Sequence, residues 1–244
     1  YLSVVKRVWR RAEFKGHKVN VNYKSSDFSL PSNKTIDTYL TLSEIHRINN
    51  YEFKKDYLDN ARDWLIIGVW TGFRVSDLLT LNKLNIDGEF IQKDTLKTDF
   101  PVYVPMHNHV KKILQKRNGD FPRKISDPKF NDYIKLVCKD VGLTHKIKGA
   151  KMSPIKVEVN GKNKIIHRKI NSVYKKYELI SSHVCRRSFA TNHYGKLDTL
   201  TIMKITGHKT ESQFLKYIKI TPMEYAEKLK KYWEKINVNE FVNS

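Results

Sequence analysis

Near the C-terminus, His183 and Arg186, the pair Gly207-His208, and Tyr217 supply side chains suited to attack on a phosphodiester. Cutting a nucleic-acid strand with a protein nucleophile needs an activated hydroxyl, positive charge around the non-bridging phosphate oxygens, and an acid for the leaving 5′-oxygen. A tyrosine ordinarily ionises near pH 10, so Tyr217 needs cations or a base beside it. Arginine matches two phosphate oxygens with a planar fork, which makes Arg74 and Arg186 the natural clamp. His183 precedes Arg186 by three positions, so on one helix the two share a face. His208 can donate a further hydrogen bond. Such chemistry requires no metal and no nucleoside triphosphate, and the sequence offers neither the dense acidic cluster of a two-metal nuclease nor a Walker-type loop.

Taken singly, each residue has an ordinary explanation. Tyr217 is one of 13 tyrosines, and His183 and His208 are two of nine histidines. A tyrosine in an amphipathic segment is commonly core or rim, and a histidine is commonly a cap or a surface residue. Arg74 could do no more than pair with Asp77, one turn on. The ordered combination is what carries the reading.

Several elements must position these groups. Leu2, Val4, Val5, Val8, Trp9, Ala12 and Phe14 recur at a helical period that Gly16 stops. Residues 17–37 are polar and lack a sustained apolar period, as a linker would. Thr41 with Glu44 reads as a capping box opening a new domain. Leu58 to Trp70 reads as a buried central helix broken by Gly72, and a short helix with Val75, Leu78, Leu79 and Leu81 follows Arg74. Strand-like pieces at Glu89–Gln92 and Val102–Val104 flank Lys97, and helices are expected at about His107–Lys116 and Pro128–Val141. Ile155, Val157 and Val159 alternate ahead of Asn160-Gly161, the signal of a type I′ hairpin, with Ile165 and Ile166 on the return strand. Ser181 and Ser182 are placed to cap a helix from His183 to about Tyr194. Thr221-Pro222-Met223-Glu224 opens a last helix with a capping box and proline at its first position. That helix carries Ala226, Leu229, Tyr232, Trp233 and Ile236 as an apolar stripe. The expected fold class is α+β, mainly helical with small β-hairpins.

The bulk properties agree with a polyanionic partner. The chain has 244 residues, and 46 Lys plus Arg against 25 Asp plus Glu give a formal net charge of +21. Nucleic acid is the polyanion such an excess points to. Cys138 and Cys185 are too few for a disulfide framework and lack metal-ligand spacing, which fits a reducing, cytoplasmic setting. Cys185, between His183 and Arg186, reads as a small buried residue. No apolar run approaches the roughly 18 residues that span a bilayer.

The chain resembles the tyrosine recombinases, the family of phage and transposon integrases. Thr71-Gly72-Phe73-Arg74-Val75-Ser76-Asp77-Leu78-Leu79-Thr80-Leu81 is similar to the family's first box, with its arginine at Arg74. Lys97-Thr98-Asp99-Phe100-Pro101-Val102-Tyr103-Val104-Pro105-Met106 resembles the hairpin presenting the catalytic lysine. Lys97 fits the spacing to Pro105 better than Lys93, four residues earlier. His183-Val184-Cys185-Arg186-Arg187-Ser188-Phe189-Ala190-Thr191 is similar to the second box, and Ile205-Thr206-Gly207-His208-Lys209-Thr210 through Tyr217 to the last. Arg187 departs from the histidine that many relatives carry. The second box and the Lys/Asn/Ile-rich composition also resemble mobile-element integrases of Bacteroides-type bacteria.

The resemblance implies a catalytic domain over residues 38–244, a linker at 17–37, and in residues 1–16 the last helix of a preceding core-binding domain. It implies catalytic roles for Arg74, Lys97, His183, Arg186, His208 and Tyr217, with Lys93, Lys151 and Lys209 as candidate DNA contacts and no cofactor or metal. The implied activity is cleavage and rejoining of double-stranded attachment-site DNA through a 3′-phosphotyrosine, by a protein monomeric when free and tetrameric on DNA. The C-terminal stripe then either docks on a neighbouring protomer or covers its own domain. Three other readings are a type IB topoisomerase-like enzyme, disfavoured by the Gly207-His208 to Tyr217 spacing, a catalytically silent DNA-binding accessory protein, and a basic RNA-binding structural protein, disfavoured by the lack of aromatic platforms and module signatures.

Overall fold

A computed structural model describes residues 2–28, 37–94, 101–159, 162–220 and 222–242, without the side chains of 159, 162 and 235–242. The chain divides into two compact units, residues 1–35 and 36–244. In the first, α1 (Leu2–Phe14) ends before Gly16, whose φ of 81° is left-handed. Trp9 stacks on Phe28 and meets Tyr23 edge-on, while the Tyr23 hydroxyl donates to Glu13 at 2.6 Å.

The second unit opens with α2 (Leu42–Asn50), where both bonds of the expected capping box form between Thr41 and Glu44. The Glu44 carboxylate is also the partner of the buried Lys176 ammonium, 2.6 Å from each oxygen, which ties α2 to the chain beyond the long hairpin. The central helix is α3 (Asp56–Thr71). Its Ala61, Trp64, Leu65, Ile66, Ile67 and Val69 are all buried, so it is apolar nearly all round. A short α4 (Val75–Leu78) follows and stops three residues before the expected Leu81, which is nevertheless buried.

Three antiparallel strands come next in the order β1 (Ile86–Asp87), β2 (Phe90–Asp94), β3 (Pro101–Pro105). Then α5 (Asn108–Lys116) and α6 (Asp127–Asp140) pack on α3 near the predicted limits. The second hairpin is much longer than its alternating apolar residues suggested. β4 (Lys146–Val159) and β5 (Lys162–Lys175) pair in unbroken register from Lys146↔Lys175 to Val159↔Lys162. Residues 160 and 161, the expected type I′ turn, lie outside the described residues. Pro154 did not end the strand because a two-stranded ribbon has only edge strands, where a missing N–H can face outward.

The last helices are α7 (His183–His193), α8 (Thr199–Thr206), α9 (Glu211–Leu215) and α10 (Pro222–Val242). The start of α7 corrects one expectation. Ser182 is itself in the right-handed helical region and makes no side-chain cap bond. Asn131 of α6 takes that part, accepting from the Ser182 N–H at 2.7 Å. Thr221 lies outside the described residues, so the capping box expected there is not described. Over its described residues the stripe on α10 does not cover its own domain: Tyr232 is 60% and Trp233 57% exposed, with Ala226 and Leu229 exposed as well, while the side chain of Ile236 lies outside the described residues. Among the described residues α10 is held by polar bonds, with Tyr39 donating to Glu224 at 2.7 Å and Lys228 to the Tyr194 carbonyl at 3.0 Å.

α3 and α7 meet without space for a larger side chain. A Cβ on Gly68 would fall 2.6 Å from the Cys185 sulfur. Cys185 is fully buried, and burial pushes its thiol up to about 12, which suits packing rather than nucleophilic chemistry.

Candidate active site

The site is assembled at the C-terminal ends of two helices. α3 ends on Gly72, whose φ of 66° is left-handed, and a Cβ there would lie 2.8 Å from the Phe189 ring, so glycine is required on both counts. α8 ends on Gly207, also left-handed at φ 60°. The last carbonyls of such helices lack internal partners and sit at the negative end of the dipole. Arg186, buried on α7, satisfies both ends: Nη1 donates to the Gly72 carbonyl at 2.9 Å and Nη2 to the Thr206 carbonyl. Arg74 comes in from the N-cap of α4, its Nη2 donating to the Gly207 carbonyl at 3.3 Å.

Two guanidiniums therefore share one small volume. Burial, and secondarily Arg74, lower Arg186 to about 10, which still leaves it charged at neutral pH. Nη1 of Arg74 is buried without a hydrogen-bond partner. Leaving a buried charged donor unmet costs more than making its bond gains, so this atom is poised for an incoming anion.

His208 follows Gly207 directly. Its Nδ1 lies 2.7 Å from the Thr206 hydroxyl, and its ring meets the Tyr217 ring edge-on with centroids 4.5 Å apart. Burial, then Arg186 and Arg74, depress it to about 4, so the imidazole is neutral at pH 7. Tyr217 stands just beyond α9. Its N–H donates to the Phe214 carbonyl at 2.8 Å, and its own carbonyl accepts from Thr191 at 3.3 Å. Phe214, wholly buried with Phe189, Ala190 and Ile202, anchors the segment. Arg74, Arg186, His208 and Tyr217 line one pocket of about 530 Å³ together with Gly207, Lys209, Gln213 and Lys216. The nucleophile candidate thus lines a pocket of its own domain.

No protein-family model and no curated protein matches the chain. Solved structures do. The Tn1549 transposon integrase, in complex with transposon right end DNA, aligns with a TM-score of 0.60 at 13% identity, over 95% of this chain and 77% of that one. XerA recombinase gives 0.54 at 17%, over 95% and 75%, and a lambda integrase dimer bound to a COC′ core site gives 0.54 at 17%, over 88% and 70%. The fold is that of the tyrosine-recombinase catalytic domain. At these identities the likeness concerns the fold alone.

Of the other predicted residues that are described, Lys209 lines the pocket and His183, Lys93 and Lys151 do not. His183 sits on the first turn of α7, exposed, and is not among the residues lining the pocket; partial desolvation and then Arg187 lower its pKa. Lys97 lies outside the described residues. Its strands are paired up to Asp94↔Pro101, and Val102 shares a cavity with Gly207, His208 and Lys209. Lys93 is on β2 opposite Val102, away from the pocket lining, and Lys151 on β4 is engaged by Glu178 at 3.0 Å. Lys209 is exposed at the pocket rim. Arg187 pairs with Asp37 at 3.1 Å, so the departure from histidine serves an ion pair. Among the described residues no group of three His, Cys, Asp or Glu could hold a metal ion, and no helix is long and apolar enough to cross a membrane.

The sequence reading missed Thr206, Thr191, Gln213 and Lys216. Thr206 is one of three threonines in α8, and nothing in the sequence sets it apart from Thr199 and Thr201. The others are recognisable only once α7, α9 and the Tyr217 segment are packed together.

Proposed function

We propose that the chain is the catalytic part of a site-specific DNA recombinase of the integrase type, belonging to a mobile element and acting in the cytoplasm. The observation that carries this reading is the convergence of Arg74, Arg186, His208 and Tyr217 on one pocket in which a buried guanidinium nitrogen lacks a partner. A scissile phosphate would take that nitrogen and the outer edges of both guanidiniums, which stabilise the charge that builds on its non-bridging oxygens. The Tyr217 oxygen attacks phosphorus as the bond to the 5′-oxygen breaks, leaving a 3′-phosphotyrosine. Lys97 is assigned the proton for the leaving oxygen and His183 a supporting contact to the phosphate, both from the motif resemblance. The phosphotyrosine stores the bond energy, so rejoining is the same chemistry reversed and needs neither metal nor ATP.

The charge of +21 supports double-stranded DNA as the partner, and Lys93, Lys151 and Lys209 are assigned to its backbone. The bare apolar stripe on α10 supports docking on a neighbouring protomer, hence a DNA-bound tetramer formed from free monomers. The domain limits proposed with this reading are a core-binding remnant at 1–16, a linker at 17–37 and the catalytic domain at 38–244.

The test is incubation with a nicked attachment-site duplex that traps the cleaved strand, followed by a denaturing gel. Wild type should give a covalent protein–DNA band and Tyr217→Phe none. DNA binding by wild type without a band, or a band from Tyr217→Phe, overturns the assignment.

A further inference from the structure

Two cations meet on either side of the Asp37 carboxylate. Arg187 of α7 pairs with one of its oxygens at 3.1 Å, and Lys219, two residues beyond Tyr217, approaches the other at 3.8 Å. Asp37 itself stands just inside the second unit. The side chains of Arg187, Lys219 and Asp37 are 15%, 20% and 24% exposed, so solvent screens their charges less than at an open surface. Burial lowers the pKa of both cations, Asp37 works against that at each, and Arg187 lowers that of Lys219 further. The carboxylate is thus the counter-ion without which α7 and the chain after Tyr217 would repel each other.

The bonds on the two sides of Tyr217 are unequal. Ahead of it, the wholly buried Phe214 accepts the Tyr217 N–H at 2.8 Å. Behind it, the Thr191 hydroxyl donates to the Tyr217 carbonyl and accepts from the Lys219 N–H, each at 3.3 Å. The Lys219 ammonium turns back to the Lys216 carbonyl at 2.6 Å and closes a turn around Tyr217. Asp37 links this turn to Arg187, the neighbour of the buried Arg186.

We propose that Asp37 is a positioning residue for Tyr217: as the counter-ion between Arg187 and Lys219 it pins the Tyr217 segment to α7 and so sets where the phenol oxygen stands for attack. The pinning stands on the geometry of the free chain; its effect on attack rests on the recombinase reading above. Asp37 acts through Lys219 and takes no part in bond-making.

Hydrogen exchange of the free chain reads the pinning, because the amides of Tyr217, Ile218 and Lys219 are all hydrogen-bonded. In Asp37→Asn they should exchange roughly tenfold faster while the amides of α3, which report global unfolding, change less, and Asp37→Glu should keep most of the protection. Asp37 also bears on the pKa of His183, after burial, Arg187 and Asp127, so a double-mutant cycle fixes the route. Asp37→Asn should do much less in a Lys219→Met background, where no repulsion is left, than in the wild-type one. Unchanged exchange at 217–219, an equal change in α3, or the same acceleration in both backgrounds overturns the pinning whatever the enzyme's activity. In the cleavage assay at saturating DNA, Asp37→Asn should form the covalent complex roughly tenfold more slowly with no loss of DNA affinity, since a misplaced reacting group costs rate rather than binding. Loosened amides without slower cleavage overturn the effect on attack. A wild type that forms no covalent complex refutes the recombinase reading, and the exchange result then decides the pinning alone.

Discussion

Replacing Arg186 by lysine keeps a cation in the site and removes the fork. Arg186 makes two bonds in the free protein, one to the Gly72 carbonyl at the end of α3 and one to the Thr206 carbonyl at the end of α8. A hydrogen bond from a charged donor contributes about 1.5–3 kcal/mol. Lysine can reach one of those carbonyls, so about 1.5–3 kcal/mol is lost and one helix end goes unmet. Relief of repulsion with Arg74 offsets little, because the charge remains. For a protein of this size each kcal/mol moves the melting temperature by about 2–4 °C, which gives a fall of about 3–12 °C. Thermal unfolding followed by near-UV circular dichroism, to which the buried Trp64 contributes, measures it. Lys209→Met, at an exposed lysine, is the control and should stay within about 0.5 kcal/mol of wild type. An Arg186→Lys protein that melts with the control would refute the claim that this guanidinium clamps the two helix ends.

Inorganic phosphate should occupy the unpartnered Nη1 of Arg74 and raise the melting temperature; at a hundred times its Kd the gain is about 2.7 kcal/mol. Arg74→Gln should abolish the rise, and an equal rise in that variant would place the anion elsewhere. Acid should weaken the fold through His208, whose folded pKa of about 4 lies below its ordinary value of 6.5. Between those values the unfolded chain binds the proton and the folded chain does not, so stability rises with pH across the window and is lost as pH falls through it. Urea titrations from pH 4 to 7 should show this slope reduced in His208→Gln, and an equal slope in both proteins would show that His208 is not held neutral.

Local patterns were readable in the chain. The Thr41–Glu44 capping box, the apolar run of α3 and its stop at Gly72 depend on neighbours within a few residues, and they form where those residues predict. The long ribbon was visible only at its apolar end, because pairing along an exposed two-stranded arm leaves no burial pattern to read. Ser182 was mistaken for a cap because its substitute, Asn131, lies 51 residues away.

For the site, the sequence by itself determined which side chains are available for phosphodiester chemistry and how they are spaced. Only the tertiary structure decided which of them meet. Arg74 and Gly207 are 133 residues apart, and what joins them is the close approach of α3 to α7 across Gly68 and Cys185, which carries Arg186 to both helix ends. The neutrality of His208 and the bare nitrogen of Arg74 were likewise illegible in the chain, since both arise from desolvation and from charges brought together by packing. Residue type and spacing are local properties; burial, mutual distance and the protonation that follows from them are set when the helix ends converge.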